Sequence, residues 1–111
     1  MDNFYASDFL KQEIWPKFLL HFKSDTTKAS YEADLTEFLN FIKKDFLDME
    51  QGDADRFFTY LQKKVKAGVL RASTVSKKIR ELHSLVAYIL ENQQELKVIL
   101  RADYRDWFAE Y

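Results

Sequence analysis

Along this chain apolar side chains return every three or four positions, the spacing that gathers them on one face of a helix. Residues 4 to 22 carry Phe4, Phe9, Leu10, Ile14, Trp15, Phe18, Leu19 and Phe22, with Ser7-Asp8 placed to cap a helix from Phe9 onward. Pro16 interrupts that run. It donates no hydrogen bond and its ring displaces a carbonyl of the preceding turn, so a kink or break is expected near Ile14–Trp15. The capping residues of Lys23-Ser24-Asp25-Thr26-Thr27 open a second helix, expected to start at Thr26–Thr27. Its face is Tyr31, Leu35, Phe38, Leu39 and Ile42, and it ends near Lys43-Lys44-Asp45. Phe46-Leu47-Asp48-Met49 leads into a third helix that begins between Glu50 and Asp53, with Ala54, Phe57, Phe58, Leu61 and Val65 on its apolar side.

Residues 67 to 74 read as one helix end, a short turn and the next start. Gly68 supplies the left-handed cap and Ser73 or Thr74 the N-cap. A fourth helix runs from about Ser73 to Glu91 on the stripe Val75, Ile79, Leu82, Val86 and Ile89. After Asn92-Gln93-Gln94 a shorter helical segment is expected over Glu95 to Arg101. Tyr104, Trp107, Phe108 and Tyr111 follow among alternating charges. They either pack back on the bundle or belong to a longer polypeptide, and the aromatic ending points to truncation. The expected fold is all-α: a compact bundle of four principal helices, a kinked N-terminal segment and a short C-terminal helix. Residues 24–92 form the bundle, 4–22 an N-terminal extension and 93–111 a tail, all in one domain.

Composition narrows this further. With 111 residues, 47% hydrophobic, two glycines and one proline, the chain suits one helical core rather than a sheet. No stretch approaches the ~20 apolar residues of a membrane span, and the N-terminus lacks the zones of a signal peptide. The absence of cysteine excludes disulfides and thiolate metal sites.

Charge changes the picture more. The net formal charge is -1, yet between Asp55 and Glu81 there is no acid, while Arg56, Lys63, Lys64, Lys66, Arg71, Lys77, Lys78 and Arg80 crowd the stretch. Such a run fits a solvated helix face as readily as a binding surface; the arrangement favours the second. Ser73, Lys77, Arg80 and Ser84 lie nearly opposite the apolar stripe of the fourth helix, and Thr59, Lys63 and Lys66 lie away from that of the third. Cations mixed with small hydroxyls at a helix N-terminus suit phosphate. The N-terminal aromatics are read as core, because a base-stacking platform would interleave them with cations.

Other chemistries find little. His21 and His83 have no ligand partner at metal spacing, and His83, at the border of its stripe, is expected as a packed neutral imidazole. Asp53 and Asp55 suit a helix start better than an acid/base pair. No Gly-rich phosphate loop or nucleophile elbow is present. No catalytic residue, metal, cofactor or small-molecule ligand is assigned.

The order of features from Thr26 to Leu90 resembles the N-terminal core-binding (SAM-like) domain of tyrosine recombinases, the phage-integrase family. Thr27-Lys28-Ala29-Ser30-Tyr31-Glu32-Ala33-Asp34-Leu35 with Phe38, Phe41 and Ile42 looks like that family's first shared helix. Asp53, Phe57 and Leu61 resemble the second, and Ala72-Ser73-Thr74-Val75-Ser76-Lys77-Lys78-Ile79-Arg80-Glu81-Leu82-His83-Ser84-Leu85 the Ser-Thr-led helix. The chain departs from the pattern at Asn92-Gln93, where the family usually has Asn-Pro, and in its long N-terminal segment.

The resemblance implies a domain that clamps duplex DNA for integration and recombination, with a tyrosine nucleophile in a separate catalytic domain not present in this chain. It also implies a cytoplasmic, bacterial or phage-encoded parent whose protomers assemble as a tetramer on DNA. On it, Thr27, Lys28, Ser73 and Thr74 would meet phosphates. Lys77, Arg80 and Ser84 would reach the major groove, with Arg80 best suited to a guanine edge, and Lys63, Lys66 and Arg71 would anchor the flanking backbone. The rival reading is a helical protein–protein interaction module without DNA binding.

Overall fold

The computed structural model describes residues 1–111 and contains only helices and turns. A π-helical turn, Leu10–Ile14, runs into α1, Trp15–Leu19; α2 is Asp25–Ile42, a 3₁₀ turn covers Phe46–Asp48, α3 is Gln51–Lys66, α4 is Ala72–Glu91 and α5 is Gln93–Leu96.

The expected disturbance at Pro16 takes the form of that π turn. The amide of Trp15 bonds to the carbonyl of Leu10, five residues back, and Pro16 sits in the first turn of α1, where a missing N–H matters least. Ser7 is the cap the spacing suggested: its hydroxyl accepts from the Leu10 amide at 3.0 Å. The Ser7 amide donates to Asp45 at 2.6 Å, which ties the segment to the loop after α2.

Helix α2 begins earlier than Thr26–Thr27. Ser24 is the N-cap, its hydroxyl accepting from the Thr27 amide, and Lys43 closes the helix in the left-handed conformation at φ 57°. Helix α3 opens with a reciprocal box: Asp53 accepts from the Glu50 amide at 2.8 Å, and the Glu50 side chain accepts from the third helical amide. Asp53 is fully buried and also pairs with Lys44, at 2.8 Å, and with Arg56.

One core joins every segment. Phe38 lies edge-on to Phe46, Phe57 and Phe108, with ring centroids 6.0, 5.0 and 5.7 Å away, so α2, the 3₁₀ turn, α3 and the tail meet at one side chain. The stripe of α4 is buried as its period requires: Val75, Ile79, Leu82, Val86 and Ile89. The expected segment over Glu95 to Arg101 is shorter and earlier, a single turn that ends at Lys97 in the left-handed conformation, φ 55°.

Of the two readings of the tail, packing onto the bundle is the one observed. Tyr104, Trp107 and Phe108 are buried. Arg101 donates to the carbonyls of Asp48 and Met49 at 3.1 and 2.6 Å, and Gln51 to that of Trp107 at 2.9 Å. No helix is long and apolar enough to cross a membrane.

Candidate nucleic-acid interface

The corner between α3 and α4 is built by its backbone. Gly68 stands at φ 75°, as expected of the left-handed cap, its amide donating to Val65 at 3.0 Å and that of Val69 to Lys64 at 2.9 Å. This is the doubly bonded helix ending that glycine makes accessible. The chain then leaves extended, so Arg71 (ψ 150°), not Ser73 or Thr74, occupies the N-cap of α4, and no side chain caps it. Ser73 and Thr74 are instead the second and third helical residues. The Thr74 amide turns back to the Arg71 carbonyl at 3.0 Å, while those of Ala72 and Ser73 find no backbone acceptor.

Around this corner the cations divide into two groups. Lys63, Lys66, Arg71 and Arg80 are exposed, and no ion pair of the fold engages them. Lys77, expected on the outer strip, is turned into the seam between α2 and α4. Its ammonium lies 3.4 Å from Asp34 and 3.5 Å from Glu81. Lys78 sits 2.7 Å from Asp34 and 2.8 Å from Glu37, and Lys64 3.9 Å from Glu37. The missing acids of the basic run are supplied by α2, more than forty positions away from Lys78. Two further expected contacts are changed: Ser84 donates its hydroxyl proton to the Arg80 carbonyl at 3.0 Å, and Thr27 has its amide capped by Ser24. Lys28 is half-buried at the start of α2, without an ion pair.

The seam is electrostatically strained. Burial penalises the charge on Lys78, but hydrogen bonds and attraction from Asp34 and Glu37 outweigh it and raise its pKa. For Asp34 burial pushes upward, and hydrogen bonds from Glu81 and Lys78 with the two lysine charges pull it below its ordinary value. Burial and the neighbouring Asp34 push Glu81 up to about 7. Ser30 donates to one Glu81 oxygen at 3.1 Å; the other is buried and receives no donor, which leaves it free to carry the proton that faces Asp34.

His83 is not the packed imidazole expected. It is half-exposed, with Nδ1 2.7 Å from the Asp106 carboxylate of the tail. His21 is exposed, Nδ1 lying 3.2 Å from the Phe18 carbonyl. No cluster of His, Asp or Glu could hold a metal ion. Sequence reading also missed an aromatic patch on the outer side of α3, where Phe41, Tyr60, Arg56, Thr59 and Lys63, together with the acid Asp55, line a depression of about 450 Å³. Aromatics there do alternate with cations, but across two helices rather than along one.

Compared with protein families, residues 12–96 match the phage integrase N-terminal SAM-like domain. The chain belongs to that family. The integrase-domain match runs from the π turn through α5 and takes in the whole cationic corner. Comparison with curated proteins gave no match, and neither did comparison with solved structures.

Proposed function

We propose that this integrase-family domain binds duplex DNA with the corner between α3 and α4, as the core-binding module of a tyrosine recombinase. The observation that carries the reading is the set Lys63, Lys66, Arg71 and Arg80: four exposed cations along α3, the corner and α4 that no ion pair engages, with the first amides of α4 left unpaired between them in sequence. Amides and cations together attract phosphate, so most of these contacts position the duplex, and Arg80 offers the planar fork that suits a guanine edge. Ser73 and Thr74 stand beside those amides, and Thr27 and Lys28 open α2 on the same bundle. Ser84 and Lys77 take supporting places, since each already has a partner. Strand cleavage and rejoining belong to a catalytic domain outside this chain, and assembly into a tetramer on DNA goes with that architecture.

The test is a titration of duplex DNA at two ionic strengths with the parent chain and an Arg71→Ala/Arg80→Ala double variant. DNA binding predicts a fall of ~0.9 log unit in affinity per phosphate contact per tenfold rise in salt, and a shallower slope for the variant. Salt-insensitive binding, or a variant equal to the parent, would favour the protein–protein interaction module instead.

A further inference from the structure

The seam behind the corner holds two carboxylates of different helices and one cation between them. Asp34 of α2 and Glu81 of α4 are both buried, and Lys77 reaches both, at 3.4 and 3.5 Å. Glu81 Oε1 accepts from Ser30, and Oε2 is enclosed with no donor. A buried carboxylate oxygen without a donor beside a second carboxylate is costly, and a single proton lowers the cost by neutralising Glu81 and letting it donate to Asp34. The other charged groups of the seam are already committed: Lys78 to Asp34 and Glu37, and Lys64, the only reach from α3, to Glu37.

We propose that Asp34 and Glu81 share one proton and act as positioning residues for Lys77, holding its ammonium in the seam when the proton is lost and releasing it toward bound phosphate when the proton is present. With Glu81 neutral, Lys77 faces only the Asp34 carboxylate, which Lys78 already neutralises at closer range. With Glu81 ionised, two carboxylates compete with DNA for the same ammonium. The upward displacement of the Glu81 pKa to about 7, caused by burial and by Asp34, puts the exchange near neutrality. This rests on the DNA-binding reading for its consequence, though not for the proton itself.

Two measurements on the full 111-residue chain test it. Carbon-13 NMR of the side-chain carboxyls follows Glu81 between pH 4 and 9, in the parent and in Asp34→Asn. A midpoint near neutrality that drops in Asp34→Asn is expected; a midpoint in the ordinary carboxylate range overturns the shared proton. Affinity for a fixed duplex at constant ionic strength is then compared at pH 6 and pH 8. One phosphate contact at ~0.1 M salt is worth roughly a factor of five to ten, so the parent should lose up to that factor over and above any loss seen in Glu81→Gln or Lys77→Ala. Both variants retain His21 and His83, so any contribution of those side chains is common to all three proteins. Equal pH slopes in parent and Glu81→Gln would overturn the link to Lys77. A neutral midpoint with no DNA binding at either pH would reject the DNA reading while leaving the proton in place.

Discussion

The phenol of Tyr104 donates to the carbonyl of Phe46 at 3.2 Å, a buried hydrogen bond between residues 58 positions apart. It fastens the tail to the 3₁₀ turn and satisfies a carbonyl that water cannot reach. Burial pushes the Tyr104 pKa far up, so the bond persists through ordinary alkaline conditions. Tyr104→Phe keeps the ring and removes the donor. It should lower unfolding stability by about 1–2 kcal/mol, read from the shift of a urea or guanidinium midpoint.

Asp53 should matter more. It caps α3, accepts the Glu50 amide and pairs with Lys44 and Arg56 while having no exposed surface of its own. Asp53→Ala strips an amide and a half-buried ammonium of their partner at once. The expected loss is about 2–3 kcal/mol, with Asp53→Asn falling between it and the parent, because an amide oxygen still accepts from Glu50.

Gly68 offers a cleaner measurement of backbone strain. A Cβ built there meets nothing within 4 Å, so Gly68→Ala tests the φ of 75° and nothing else. Equilibrium denaturation should show a loss of about 1 kcal/mol. A neutral result would mean that the corner relaxes to negative φ, moving Arg71 with it.

Stability should also depend on pH through the α2–α4 seam. The folded chain holds Glu81 up to about 7, above its ordinary 4.5. A group raised in this way favours the folded state fully below its unfolded value, and that advantage is lost as pH climbs through the folded one. Asp34 is shifted the other way, so its contribution stands above 3.8 and fades on acidification. Thermal unfolding of the parent should therefore weaken from pH 5 to pH 8, and Glu81→Gln should flatten that decline.

Most of the architecture could be read from period alone. The buried stripe of α4 is the one the spacing of Val75, Ile79, Leu82, Val86 and Ile89 marks, and the face of α2 is centred on Leu35, Phe38 and Leu39 as expected. Errors fell where a local signal competed with a distant one. Ser73 and Thr74 have the chemistry of caps, but the closure at Gly68 and Val69 fixes where the chain turns helical, two residues earlier than Thr74. Lys77 and Arg80 looked alike on a helical wheel. Only the packing of α2 against α4 brings Asp34 to one and leaves the other free. His83 likewise meets Asp106, 23 positions later, because the tail folds back over α4. No periodicity in the chain encodes that return.

The burial of both indoles has a spectroscopic consequence. Trp15 and Trp107 stand near opposite termini of the polypeptide, yet both enter the same core, and neither indole N–H has a hydrogen-bonding partner. Their emission should accordingly be blue-shifted in the native state. With Trp15→Phe and Trp107→Phe as single-fluorophore versions, red shifts in stopped-flow traces would time the release of each chain end separately.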